Sequence, residues 1–314
     1  MTSYLVLSGG LSPERDVSLR SGRRVAEALR TSSDAEVIEA DVDSSLIDVL
    51  RRHRPDCVVP LLHGAAGEDG ALRDVLTSLG LPFVGATGAA ARLAFDKPVA
   101  KTLLATAGVS TPAVLAIPHA MFRELGAAGV LTGIREFLGL PIMVKPTSGG
   151  SALGASIVRS AEDFPSAMVG AFAYSDVAMM EQYIDGTEVA VSVLETAEGT
   201  VALPAVEIVP ESGIYDYKSR YTAGTTEFFV PARLSDELAA ECARIAVLAH
   251  EVLGLRDWSR TDLIIDAAGT PWFLETNAAP GMTETSLFPQ ALQAAGLGLG
   301  EIANALVRRA AARG

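Results

Sequence analysis

The sequence predicts a mixed α/β fold with a parallel sheet in its N-terminal part. Over the first ninety or so residues, short apolar runs alternate with segments of helical periodicity, which is the grammar of parallel strands joined through helices. Nearer the C-terminus, two apolar runs flank a short Gly-containing loop and mark an antiparallel hairpin, so the fold is mixed. At 314 residues, 49% hydrophobic and 20% charged, the chain has room for two or three domains with sizeable cores.

Strands are expected at 4–7, 37–40 and 57–62, and helices at 17–29 and 46–52. In such a sheet the loops at the carboxyl ends of the strands form the ligand edge. Two loops there are polar and Gly-rich: SGGLSPER at 8–15, whose Glu14 is placed to receive an ammonium group, and HGAAGEDG at 63–70. Read plainly, Glu14 and Glu68 are also acids near helix starts, where the helix dipole favours them. Cys57 and Cys242 form no ligand cluster and read as packing residues. The formal net charge of −13 argues against a nucleic-acid or anionic-membrane surface. The N-terminus enters a strand without a signal-peptide pattern, and no apolar run approaches the roughly 20 residues of a membrane span. A cytoplasmic protein is expected.

The pattern changes after Phe95, which sets a first domain of 1–95. A helix follows Asp96-Lys97-Pro98 as far as residue 107, and the Ala/Gly-rich stretch to 139 gives weak signals. Residues 141–146 read as a strand with Lys145 at its exit. The loop TSGGSALG at 147–154 follows, then another strand at 155–158. Gly/Ser backbone N–H groups beside a lysine suit phosphate. The spacing is neither that of a P-loop nor that of a dinucleotide fingerprint. A strand at 177–180 leads into EQYIDGTE at 181–188, a connector whose backbone suits a purine edge and whose Glu188 suits ribose hydroxyls. The second domain is set at 96–184 and the third at 185–314. Within the third, the polar, aromatic segment 215–221 lies between Gly213 and Gly224 and has the composition of a closing loop, while 238–253 reads as a structural helix with His250 packed in it.

The hairpin carries the sharpest chemical signal. With Asp266 facing Pro271, Asp262 falls opposite Glu275 and Arg260 opposite Asn277, all on one face because strand side chains alternate. Directly opposed carboxylates, with Cβ atoms about 4.5–5.5 Å apart, repel. A divalent cation removes the conflict, and two carboxylates with an Asn oxygen suit Mg²⁺ that completes its shell from nucleotide phosphates.

Taken in order, GGLSPERDVSLRSG, HGAAGEDG, the Asp96-Lys97 pair, VKPTSGGSALG, EQYIDGTE, YDYKSRY, RTDLIID and LETNAAPGMTETSL make the chain similar, almost end to end, to the D-alanine:D-alanine ligase family of the ATP-grasp superfamily. That resemblance implies a three-domain ATP-grasp fold with ATP between the central and C-terminal domains. It gives phosphate contacts to Lys97 and Lys145, the covering loop to Gly150 and its neighbours, adenine and ribose to Glu181, Gln182, Tyr183 and Glu188, and a place beside the nucleotide to Arg220. Asp262, Glu275 and Asn277 would hold two Mg²⁺ ions. Glu14 would bind the first amino acid's ammonium group and join Ser151 and Tyr221 in a set linking the domains. His63 would lie near that substrate, and Ser286 with the Leu287 backbone would hold the second carboxylate.

The implied reaction passes through an acyl phosphate, with Arg260 and the backbone N–H of Gly281 stabilising the tetrahedral oxyanion that follows. A homodimer in cell-wall peptidoglycan synthesis is the implied setting. The chain departs from the family's pattern at Ala152, Gln182, Arg220 and Ala278, where a serine, two lysines and a threonine are usual. Arg220 keeps a charge on a planar fork, and Gln182 removes one near the purine. Tyr221 favours an amine over a hydroxy-acid acceptor. Two other readings compete: a related ligase acting on other amino acids, and a non-catalytic nucleotide-binding homologue.

Overall fold

The computed structural model describes residues 2–216, 219–220, 222 and 224–313, and three sheets organise them. The first comprises β1 (Ser3–Ser8), β2 (Glu36–Asp41) and β3 (Cys57–Pro60), parallel and in the order β2-β1-β3. Helices α1 (Arg15–Ser32), α2 (Leu46–His53), α3 (Ala65–Glu68) and α4 (Ala71–Ser78) connect and cover it. Leu5 and Leu7 pack with Leu46, Leu50 and Leu76, whereas Tyr4 and Val6 pack with Val25 and Leu29. Both faces of β1 are therefore buried, which is why it reads as one apolar run rather than an alternation.

The second sheet is antiparallel in the order β4-β7-β5-β6: β4 (Val114–Pro118), β5 (Ile142–Pro146), β6 (Ser156–Val158) and β7 (Val177–Gln182). It is covered by α7 (His119–Leu125), α8 (Ala127–Leu138) and α9 (Phe164–Phe172). The stretch that gave weak signals thus holds two helices. In α8 Ile134 is buried and Val130, Leu131 and Leu138 pack beside it at helical spacing, a pattern that the Ala and Gly residues at 126–129 and 133 obscure.

The third sheet runs β11-β10-β8-β12-β13, with β9 also paired to β8. Its strands are β8 (Thr187–Thr196), β9 (Gly199–Ala202), β10 (Val206–Pro210), β11 (Thr226–Phe229), β12 (Trp258–Ile265) and β13 (Pro271–Asn277). Helix α10 (Asp236–Val252) packs on one side, joined by α5 (Gly88–Phe95) and α6 (Lys97–Thr106), whose Ala100 and Leu104 share a core with Val189, Leu263 and Phe273. Asp96 caps α6 by accepting a hydrogen bond from the Val99 N–H, with Pro98 in the first turn, so the helix starts where Lys97 must be aimed. On the other side, α11 (Leu287–Ala294) and α12 (Leu299–Ala311) bring Phe288 and Leu306 respectively against the first sheet's core.

The hairpin register differs from the expected one at the turn. Ile265, not Asp266, faces Pro271, and the one-residue offset persists to Leu263 opposite Phe273. A bulge between Asp262 and Leu263 then absorbs Leu274 and restores Asp262 opposite Glu275 and Arg260 opposite Asn277. Asp266 instead closes the turn, accepting from the Ala268 and Thr270 N–H groups and from the Trp272 indole.

Gly186, in the connector from β7 to β8, lies so close to the Ile265 carbonyl that a Cβ would overlap it. Gly186→Ala is expected to destabilise the protein by roughly 1–3 kcal/mol through overpacking alone, seen as a lowered Tm in calorimetry.

Candidate active site

Two cavities meet at the β12/β13 hairpin. The larger, about 560 Å³, lies between the second and third sheets and is lined by Lys97, Lys145, Glu181, Glu188, Asp262 and Glu275. Gly150, Gln182, Tyr183 and Arg220 border it as well. The smaller, about 80 Å³, is lined by Glu14, His63, Arg260, Gly281, Ser286 and Leu287, with Gly150, Ser151, Arg220 and Asn277 also on its wall. Every residue given a catalytic, binding or metal role from the sequence therefore falls on one cavity or both, apart from Tyr221, which lies outside the described residues.

The hairpin is the wall between them. Asp262 is 3% exposed, and both its oxygens accept from Arg260, from Nε at 2.7 Å and from Nη2 at 2.7 Å. The Asn277 amide donates to the same carboxylate at 3.3 Å. Burial opposes ionisation of Glu275, but Lys97 and Lys145 outweigh it and hold the carboxyl down to about 2. The nearer lysine, Lys97, sits 3.0 Å from Glu275 and donates to the Gly149 carbonyl at 2.7 Å. Burial likewise opposes the Arg260 charge and Asp262 overcomes it, so the guanidinium stays protonated. Glu275 thus remains charged in a buried site, and each of the two opposed acids has a fixed cation beside it.

Beneath the larger cavity a second cluster sits deeper. Glu181 is 2% exposed and lies 2.6 Å from Lys145 and 2.9 Å from Lys101. Lys101, 1% exposed, also donates to the Phe273 carbonyl at 2.9 Å, and burial lowers its pKa to about 8. Sequence reasoning missed Lys101. It stands four residues after Lys97 on α6, one helical turn along the same face, and that spacing was the available signal. At the cavity's far side burial raises Glu188 to about 7, countered by Arg220, whose guanidinium stacks 4.2 Å from the Tyr215 ring centroid.

Around the smaller cavity, Glu14 is held by two sheets at once. The Ser151 hydroxyl donates to Glu14 Oε1, and a Cβ on either Gly64 or Gly150 would stand 2.8 Å from Glu14 Oε2. Those two glycines permit the approach of the N-terminal loop and the Gly-rich loop around one carboxylate. Ser151 and Ala152 adopt left-handed backbone, with φ of 54° and 55°, a strained turn that aims the hydroxyl inward. Burial raises the Glu14 pKa. His63 is pushed by burial down to about 4 and is therefore neutral, its Nε2 3.2 Å from the Ser21 hydroxyl. Glu68, read from sequence as a helix-start acid, also faces this cavity; it accepts from the Gly64 N–H at 3.2 Å, and burial and the Glu14 charge raise it to about 8. His250 and both cysteines are buried, away from either cavity.

The large cavity thus lies between two antiparallel sheets, and the parallel-sheet domain supplies one side of the small cavity. Residues 103–308 match the family model described as D-ala D-ala ligase C-terminus. The chain is 38% identical to a D-alanine–D-alanine ligase of Pelotomaculum thermopropionicum across 97% of its length and 95% of the relative's. It is 40% identical to one of Anaeromyxobacter dehalogenans, over 94% and 91% of the two chains. Among solved structures it resembles the VanG D-Ala:D-Ser ligase of Enterococcus faecalis, at a TM-score of 0.85 and 26% identity over 98% of this chain and 99% of that one. It also resembles the D-alanine–D-alanine ligase of Bacillus anthracis complexed with ATP, with a TM-score of 0.80 and 25% identity over 100% and 98%. The chain belongs to the D-alanine–D-alanine ligase family.

Two outcomes are expected. Lys101→Met leaves Glu181 with Lys145 alone and lowers stability by about 3 kcal/mol, the low end for breaking a buried pair, as read in a denaturant titration. Glu68 binds its proton more tightly folded than unfolded, so its contribution to stability is complete below 4.5 and is lost as pH rises through about 8. Glu68→Gln should flatten that decline, so its stability relative to the unsubstituted protein rises across this window in melts at stepped pH.

Proposed function

We propose that this chain is an ATP-dependent ligase that joins two D-alanines and releases D-alanyl-D-alanine and ADP. The observation that carries the reading is the two-sided hairpin: Asp262 and Glu275 line the large cavity while Arg260 and Asn277 line the small one. Charge for phosphate and charge for a reacting carboxyl group thus sit on one rigid pair of strands. At about 80 Å³ the second cavity is small beside ordinary ligand pockets of roughly 300–1,000 Å³, and it suits the smallest side chains.

In this reading Lys97, Lys145 and Gly150 take the phosphates, with Arg220 near them, and Glu181, Gln182, Tyr183 and Glu188 the adenosine. The donor set of two carboxylates and one amide oxygen fits Mg²⁺, since Glu275 stays ionised at any working pH and hard oxygens are what that ion prefers. Asp262, Glu275 and Asn277 would hold two such ions. Bound there, they would neutralise charge on the transferring phosphoryl group. Glu14 receives the first D-alanine's ammonium group, with His63 beside it and Ser151 and Tyr221 joined to Glu14 in one hydrogen-bonded set. That substrate's carboxylate takes the phosphoryl group, and the resulting acyl phosphate is attacked by the amine of the second D-alanine. Ser286 and the Leu287 N–H, at the start of α11, fix the second carboxylate where a helix N-terminus favours an anion. Arg260 and the Gly281 N–H face the carbonyl oxygen as it becomes an oxyanion.

The three domains are read as 1–95, 96–184 and 185–314, each supported by its own sheet. A cytoplasmic homodimer supplying peptidoglycan precursors is the accompanying proposal; among the described residues no helix is long and apolar enough to cross a membrane. A specific observation favours a second acceptor. Thr283, Thr285 and Ser286 bring three hydroxyls to the small cavity, and a hydroxylated amino acid such as D-serine suits that wall.

The test is ADP release by purified protein with ATP, Mg²⁺ and D-alanine, with products identified by mass spectrometry and D-serine and L-alanine run alongside. Release that requires D-alanine and yields its dipeptide supports the reading; turnover with another amino acid alone, or none with any, overturns it. In an active preparation, Arg260→Ala should lower kcat by about 10²–10³ with little change in the KM for ATP. A chelator should abolish turnover, and added Mg²⁺ should restore it.

A further inference from the structure

Helix α1 enters the small cavity at Glu14 and also reaches the loop that closes the cavity's opposite side. One turn apart on one face of α1, Ser21 and Arg24 grip the segment after Gly281. The Ser21 hydroxyl accepts from the Met282 N–H at 3.1 Å. Arg24 Nη1 donates to the Met282 carbonyl at 3.0 Å and to the Thr283 carbonyl at 2.5 Å. The same segment places Ser286: the Thr283 N–H donates to its Oγ at 3.0 Å, and the Thr283 and Ser286 hydroxyls lie 2.8 Å apart. Arg24 lines neither cavity, and no carboxylate among the described residues lies within ion-pair distance of it. Its half-buried guanidinium is directed at peptide carbonyls of a loop more than 250 positions away in sequence.

We propose that Arg24 is a positioning residue for the second, acceptor amino acid, holding the 282–286 loop so that Ser286 and the Leu287 N–H meet the acceptor carboxylate. The inference rests on the acceptor role given above to Ser286 and Leu287. Two hydrogen bonds from a charged donor fix two successive carbonyls, and the loop's remaining internal bonds then set the Ser286 hydroxyl. Without Arg24 the loop keeps Ser21 alone, and acceptor binding must bear the cost of ordering it.

The experiment compares Arg24→Ala, Arg24→Lys and, as a control on the same helix, Arg23→Ala, which alters an exposed arginine. Arg24→Ala should raise the acceptor KM roughly tenfold, with kcat and the KM for ATP little changed, because charged hydrogen bonds of this kind are worth about that factor. Arg24→Lys, which keeps one charged donor, should recover most of the loss, and Arg23→Ala should match the unsubstituted protein. Hydrogen–deuterium exchange of the 282–286 amides, read without any turnover, should quicken in Arg24→Ala and not in Arg23→Ala. An unchanged acceptor KM with unchanged exchange, or an equal rise in the KM for ATP, overturns the inference. If the unsubstituted protein forms no dipeptide, the functional reading fails, and the exchange measurement still decides whether Arg24 holds the loop.

Discussion

The opposition of Asp262 and Glu275 across one hairpin is the constraint on which the rest of the structure depends. Two carboxylates facing each other in a buried site repel, and the fold supplies one cation to each: Arg260 from two residues earlier on the same strand, and Lys97 from α6. Lys97 can reach Glu275 because Asp96 starts its helix at that point and because Ala100 and Leu104 seat the helix in the third sheet's core. The position of α6 is thus an electrostatic requirement met by apolar packing. Lys101, a turn further on, then meets Glu181 from the second sheet, so one helix face neutralises acids on two sheets.

The small cavity follows a similar rule with the charges reversed in role. Glu14 and Glu68 are buried acids from neighbouring loops, and burial holds both above their ordinary pKa. One positive group entering between them would relieve both. His63 stays neutral beside them and offers a hydrogen bond without competing as a cation. The guanidiniums of Arg220 and Arg260 stand on the same wall, so the cavity carries both signs of charge.

Much of this was legible in the sequence, for identifiable reasons. Fully apolar runs and a Gly-containing turn located β1, β3 and the hairpin because burial and turn chemistry leave direct marks in residue type. The pairing of Asp262 with Glu275 was reached through a turn register that was one residue off, and the bulge at Leu274 cancels the difference. No sequence rule announces such a bulge. The helices α7 and α8 were illegible because Ala and Gly residues interrupt their apolar pattern, although Phe122, Val130, Leu131, Ile134 and Leu138 all pack on the second sheet's core. Lys101 and Arg24 were passed over for another reason: each acts through partners distant in sequence, so its residue type alone describes an ordinary surface charge.

Helix α1 works as a ruler. Its 18 residues are one rigid rod that begins beside Glu14, and Ser21 and Arg24 stand seven and ten positions beyond that carboxylate. At about 1.5 Å per residue those offsets are roughly 10 and 15 Å along the axis. The distance between the Glu14 carboxylate and the contacts to Met282 and Thr283 is therefore written into chain length rather than into the size of any side chain. A single residue inserted in the first turns of α1 would swing its later face by about 100° and pull Ser21 and Arg24 away from the 282–286 loop, even with every lining residue unchanged. Substitutions on the cavity walls leave that span unchanged, because it is fixed by the helix and not by the side chains that line the site.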